Sequence, residues 1–185
     1  MKLLKKTPNG LNTRIFGVVI ALAITFVIFG VLEPIFLSFD ILLEIGVQST
    51  IIALVALGLT FVIVTGGIDI SVGAIVGLTA VICATNLANW GTFLTIIMAF
   101  VISAFLGFFN GAMSALFNLQ SFVVTLATLN LFRGIAFVYT QGRPIYNLDE
   151  GFRNFFSADI GPIPKPVLFL IAATMVAYLI LNKSR

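Results

Sequence analysis

The 185-residue chain is 60% hydrophobic, carries ten basic against seven acidic residues for a net charge of +3, and has no histidine and one cysteine, Cys83. Only 9% of its residues are charged and its mean hydropathy is +1.17, whereas a soluble domain needs about 25% charged residues to solvate its surface. Most of the chain must therefore face lipid or other apolar helices, and histidine general bases, histidine or multi-cysteine metal sites and internal disulfides are excluded.

Charge then serves as a ruler along the chain. Long uncharged runs cover residues 15–32, 45–68 and 70–132, with a shorter one at 166–182. A helix needs roughly 20 apolar residues to cross the hydrocarbon, so the 70–132 run is too long for one crossing. It has polar breaks at Asn86 to Gly91 and at Asn118 to Ser121. The expected architecture is an all-α, polytopic bundle of six spans near 14–36, 46–65, 70–88, 92–117, 121–140 and 164–182. Residues 1–13 form a basic tail with Lys2, Lys5 and Lys6, and Arg14 adjoins it. By the positive-inside rule that tail is cytoplasmic. Six crossings return the end at 183–185, with Lys183 and Arg185, to the same side and leave 141–163 outside. The first span is read as uncleaved, because no small-x-small site follows it.

Within the second and third spans, Thr65-Gly66-Gly67-Ile68-Asp69-Ile70-Ser71-Val72-Gly73 interrupts the apolar pattern. Paired glycines ease departure from helical geometry, and Asp69 or Ser71 can cap the restarting helix. The spacing predicts a glycine-broken helix at 66–73. Two placements fit it: a break within the membrane lining a hydrated cavity, or a tight cytoplasmic turn with Asp69 solvated. Asp69 is the one charge between Glu44 and Arg133.

The fourth span repeats small residues at Ser103, Gly107, Gly111 and Ala115, one helical face suited to close packing in lipid; Gly73 and Gly77 repeat the spacing in the third. Arg133 lies in the fifth span, either snorkelling to the outer leaflet or standing at the mouth of a pathway beside Asn130 and Thr140. The outer segment mixes Arg143, Asp149, Glu150, Arg153 and Asp159 with Tyr146, Phe152, Phe155 and Phe156, which suits a short interfacial helix that anchors at the membrane surface or meets a partner.

The run Gly58-Leu59-Thr60 to Val72-Gly73 resembles the permease subunits of bacterial ABC importers for ribose and other simple sugars, whose signature reads Gly-Ile-Asp-Leu-Ser-Val-Gly after a Gly-apolar-Thr opening. A second block, Ser121 to Leu126, Leu131-Phe132-Arg133-Gly134 and Tyr139-Thr140-Gln141-Gly142-Arg143-Pro144, follows the same family's order. The resemblance implies a membrane subunit working with a second permease, most often another copy, a cytoplasmic ATPase and an extracytoplasmic sugar-binding protein. Permeases for autoinducer-2 and galactofuranose share these blocks. Such permeases run on past the equivalent of Arg185 into an ATPase-contacting loop and further spans, so the chain is expected to be the N-terminal part of one.

The expected function is that of a sugar-importer permease with no catalytic residue, cofactor, metal site or nucleic-acid partner. No phosphate-binding Gly-x-x-x-x-Gly-Lys-Ser/Thr loop is present, so ATP hydrolysis would fall to the partner. Sugars call for hydroxyl and amide groups rather than fixed charge, which makes Asn110, Thr125, Thr128 and Asn130 candidates for the pathway, with Gly66, Gly67, Asp69, Ser71, Gly73 and Arg133 as its gate or wall. A gradient-driven transporter using Asp69 and Glu33, or a non-transporting assembly subunit, are the alternatives.

Overall fold

A computed structural model describes residues 8–146, 148–157 and 164–183. The expectations for Lys2, Lys5 and Lys6 in the tail, for Asp159 in the outer segment and for Arg185 lie outside the described residues. The chain divides into two compact units, residues 1–49 and 50–185.

In the first unit, helix α1 spans Pro8–Leu32 and a 3-10 turn follows at Pro34–Leu37. Pro34 explains the stop: the residue before a proline is pushed out of the helical region, and Glu33 is extended at φ −137°. Phe36 on the turn meets the rings of Phe26 and Phe29 at centroid distances of 5.4 and 5.6 Å, folding the turn back on α1. Helix α2, Phe39–Val64, begins in this unit.

The second unit holds the rest of α2, then α3 (Val72–Leu116), α4 (Ser121–Thr140), α5 (Glu150–Ser157) and α6 (Lys165–Lys183). Among the described residues there is no strand, and five helices are long and apolar enough to cross a bilayer. The fold is an all-α polytopic bundle.

The six expected spans reduce to these five because the third and fourth are joined. As one straight rod, the 45 residues of α3 would run about 67 Å at ~1.5 Å per residue, twice the ~30 Å hydrocarbon core. Gly91 resolves this. Its φ of 69° and ψ of 171° fall in a region open essentially to glycine alone, and there the helix doubles back into arms 72–90 and 92–116. Three contacts rung the arms antiparallel: Asn110 Nδ2 donates to Ser71 Oγ (2.8 Å), Thr79 Oγ1 and Ser103 Oγ share a hydrogen bond (3.2 Å), and Cys83 Sγ donates to the Thr95 carbonyl (3.7 Å).

Helix α4 lies parallel to the first arm. Ile68 and Ile70, just before that arm, meet Ser121 and Thr125, and Asn86 near its far end donates to Tyr139 Oη (3.1 Å). Ala74, Ile75 and Leu78 pack with Phe132 of α4 as the core, flanked by Ile82, Leu106, Leu129 and Ala136. In lipid this packing stabilises through dispersion between well-fitted surfaces. The result is an up-down-up unit with the loops 65–71 and 117–120 at one end and Gly91 and Gln141 at the other. Helix α4 closes there through Gln141 and Gly142, with φ 54° and 68°.

The short helix expected within 141–163 is α5, Glu150–Ser157. Asp149 Oδ2 accepts from the Phe152 N–H (3.2 Å) at its start, Phe156 meets Phe152 and Phe155 edge-on at 5.1 Å, and Lys165 Nζ donates to the Phe155 carbonyl (2.7 Å) while lying over its ring.

Candidate functional site

Helix α2 ends at Val64 and α3 restarts at Val72, so the seven residues between them are the break that the glycine pair foretold. Gly66 takes φ +79°, the left-handed conformation that costs glycine nothing. Its N–H donates to the Ile63 carbonyl (3.0 Å) and that of Gly67 to the Val62 carbonyl (2.9 Å), closing the last turn of α2. Gly67 is also tightly seated: a Cβ there would stand 3.0 Å from Val62 Cγ1, 3.3 Å from the Val62 carbonyl and 3.5 Å from Ser121 Oγ.

Beyond the glycines the backbone groups find side-chain partners on α4. The Ile68 N–H donates to Ser121 Oγ (2.9 Å) and the Ile70 N–H to Thr125 Oγ1 (3.4 Å). Thr125 in turn has one proton for two carbonyls, those of Ile68 (3.2 Å) and Phe122 (3.3 Å). Asp69 Oδ1 accepts from both the Ser71 N–H and the Ser71 hydroxyl, each at 2.7 Å. Because that hydroxyl's single proton is committed to Asp69, Ser71 Oγ can only accept from Asn110. The amide of Asn110 is thereby oriented, with Nδ2 on Ser71 Oγ at 2.8 Å.

This relay joins the return arm of α3 to the broken segment. Ser71 is fully buried and Asn110 is 4% exposed. Asn110 lies six residues before the end of its arm, and Thr125 four residues into α4. At ~1.5 Å per residue the segment therefore reaches roughly 6–9 Å into the helical layer. It is neither at mid-layer nor a turn standing clear of the helix ends.

A cavity of about 500 Å³ opens against the break. Gly66, Gly67, Asp69 and Thr65 form one wall, Ser121 and Thr125 a second, and Gly107, Asn110, Gly111, Ser114 and Ala115 a third. Among the described residues its lining includes one acidic side chain and no basic one. Asn110 Oδ1 is buried without a hydrogen-bond partner.

The residues singled out in the sequence thus divide. Gly66, Gly67, Asp69, Asn110 and Thr125 meet at the cavity, and Ser71 stands behind it. Gly73 lies just beyond on α3 and is not part of the wall. Thr128 is buried and spends its hydroxyl on the Thr125 carbonyl (3.4 Å). Asn130 is exposed, with Nδ2 on the Leu126 carbonyl (3.0 Å). Arg133 is exposed on α4, and neither it nor Asn130 lines this cavity. Of the small-residue face, Ser103 pairs with Thr79, while Gly107, Gly111 and Ala115 border the cavity. Nothing stands within 4 Å of a Cβ built on either glycine.

Ser114 and Ser121 are cavity residues that the sequence reasoning did not pick out as a wall. The available signal was their position, as small hydroxyl residues at the polar ends of apolar runs. A second, largely apolar cavity of about 800 Å³ lies at the other end of the unit, between the α3 arms, the end of α4 and Arg143 to Phe152.

Known proteins supply a matching picture. Over 88% of its length the chain is 38% identical to the ribose import permease protein of Haemophilus influenzae, of which it covers 52%. It is 35% identical over 92% of its length to the D-allose transport system permease protein of Escherichia coli, covering 53% of it. Identity to an autoinducer 2 import system permease protein of Escherichia coli is 32% over 88% of the chain and 45% of the relative. The chain thus spans about half the length of these relatives. No solved structure matches it. Five membrane-length apolar helices together with these permease relatives make it a multi-pass membrane protein. Residues 41–185 match the family described as the branched-chain amino acid transport system / permease component, and the chain belongs to that family.

Proposed function

We propose that the chain is the N-terminal part of the membrane-spanning subunit of an ATP-binding-cassette importer for a simple, ribose-type sugar, and that the 65–71 break with its cavity is part of the translocation pathway or its gate. The observation that carries this reading is the similarity to ribose and allose permeases along nearly the whole chain. The cavity chemistry supports it. A neutral polyol needs hydroxyl, amide and carboxyl partners, which this lining supplies, whereas among its described residues no cation is present to pair the carboxylate of a branched-chain amino acid.

In this reading the chain sits in a bacterial inner membrane with residues 1–13 and 183–185 in the cytoplasm and 141–163 outside. The arms at 72–90 and 92–116 count as separate crossings, which puts the 65–71 break and its cavity at the cytoplasmic end. A second permease subunit, most simply another copy, completes the pathway. A cytoplasmic ATPase supplies the energy, and an extracytoplasmic sugar-binding protein delivers the cargo.

Uptake of labelled ribose in cells carrying the chain within its complete importer tests the proposal. Expected is ribose uptake that stops on ATP depletion and persists with an uncoupler. Leucine uptake without ribose uptake would overturn the cargo, and uptake that follows the proton gradient would overturn the mechanism.

A further inference from the structure

We infer that the 500 Å³ cavity is itself a binding site for one neutral monosaccharide, in which Asn110 Oδ1 accepts a hydrogen bond from a sugar hydroxyl. The inference rests on the sugar-permease reading and adds to it the atom that reads the cargo.

A buried acceptor left unpaired bears the cost of its lost hydration, so native structures rarely keep one without a use. Two hydroxyls of the wall and the Asn110 amide nitrogen are already engaged. Ser121 Oγ takes the Ile68 N–H, Thr125 Oγ1 is divided between the backbone of the break and its own helix, and Asn110 Nδ2 is turned to Ser71. Asn110 Oδ1, on the same wall, is the buried side-chain atom without a partner among the described residues. It belongs to a side chain held from behind by the Ser71–Asp69 relay, so its position is fixed before any ligand arrives.

The size and the floor of the cavity suit a sugar. Its volume falls in the roughly 300–1,000 Å³ range of small-molecule sites, enough for one monosaccharide with water. Gly107 and Gly111 leave open space beside Asn110, because a Cβ on either would touch nothing within 4 Å. A packing helix would fill such space but bring no free backbone donor, since its N–H groups are bonded within it. A monosaccharide presents hydroxyl donors on every edge, and Asp69 offers a further acceptor in the same lining.

The test is site protection in membrane vesicles that carry the importer. The full chain bears Ser114→Cys in a Cys83→Ala background, so that the cavity wall holds the one thiol of residues 1–185. Maleimide labelling of position 114 is expected to slow several-fold with saturating ribose or allose and to be unchanged by leucine. Adding Asn110→Leu or Asn110→Ser should raise the ribose concentration needed for protection about tenfold, the loss of one well-placed hydrogen bond.

A measurement without any variant at Asn110 uses ribose analogues that each lack one hydroxyl. At least one should protect about tenfold less well, and equal protection by all would overturn the acceptor role of Asn110. Absence of protection by ribose and allose while uptake proceeds would overturn this site and leave the permease reading standing. Protection by leucine instead of sugar would overturn both.

Discussion

The chain breaks its helices twice with the help of glycine, and the two breaks are built on opposite principles. At Gly91 a single residue with φ 69° and ψ 171° reverses the path, attended by the side chain of Thr95, whose hydroxyl donates to the Gly91 carbonyl (2.8 Å). At 65–71 seven residues leave the helix and recruit Ser121, Thr125 and Asn110 from two other segments. A turn needs only a permissive backbone. The longer break exposes backbone groups inside a helical layer, so it must bring polar side chains with it, and those side chains make a chemical surface. The same contrast separates the two cavities, the one beside the break being the more polar and the one at the Gly91 end lined almost wholly by apolar groups.

Substitutions can break this comparison at either side. The largest effect is expected at Gly67→Leu, because the new side chain meets Val62 and Ser121 at 3.0–3.5 Å. Overpacking of this kind costs about 1–3 kcal/mol and should cut sugar uptake at least about tenfold at normal membrane expression. Wild-type uptake would remove the break from the pathway.

Gly91→Val should destabilise by about 1–3 kcal/mol, read as a lower unfolding temperature in detergent, while the molecules that do fold transport normally. A uniform loss of uptake per folded molecule would show that the turn is more than a turn. Asp69→Ala removes two hydrogen bonds of 2.7 Å at the start of α3. By analogy with a lost N-cap it should cost about 0.5–2 kcal/mol, seen as faster amide exchange over 71–75. Asp69→Asn keeps an acceptor, so recovery with that variant separates hydrogen bonding from charge. The smallest change is expected for Gly77→Ala, on a helical position with nothing within 4 Å of the added Cβ, where helix propensity alone should stabilise by up to about 1 kcal/mol. Destabilisation there would mean that another backbone closes on this face in the assembled importer.

The helices were legible because charge is expensive in lipid and the chain places almost none inside its spans. The expected span 121–140 coincides with α4, and 92–117 differs from the return arm by one residue. The glycine pair announced the 65–71 break for a local reason, backbone freedom. What stayed hidden were partnerships between residues distant in sequence. Asn110 with Ser71 is 39 residues apart, and Thr125 with Ile70 is 55. Asn110, Thr125, Thr128 and Asn130 look alike in sequence as neutral polar residues in apolar helices. Only packing distinguishes Asn110, with an oxygen to spare, from Thr128 and Asn130, whose hydrogens return to their own helix. The doubling of α3 shows the same limit, since a polar run from Asn86 to Gly91 marks the region of the turn but not the residue that makes it.

Ser121 and Thr125 stand one helical turn apart on the same side of α4, and between them they hold the N–H groups of Ile68 and Ile70. Such a pair senses azimuth. If α4 rolled about its own axis by a single residue's worth of angle, about 100°, both clasps would open together and the di-glycine strand would come free in one step. Sliding along the axis would instead trade them one at a time.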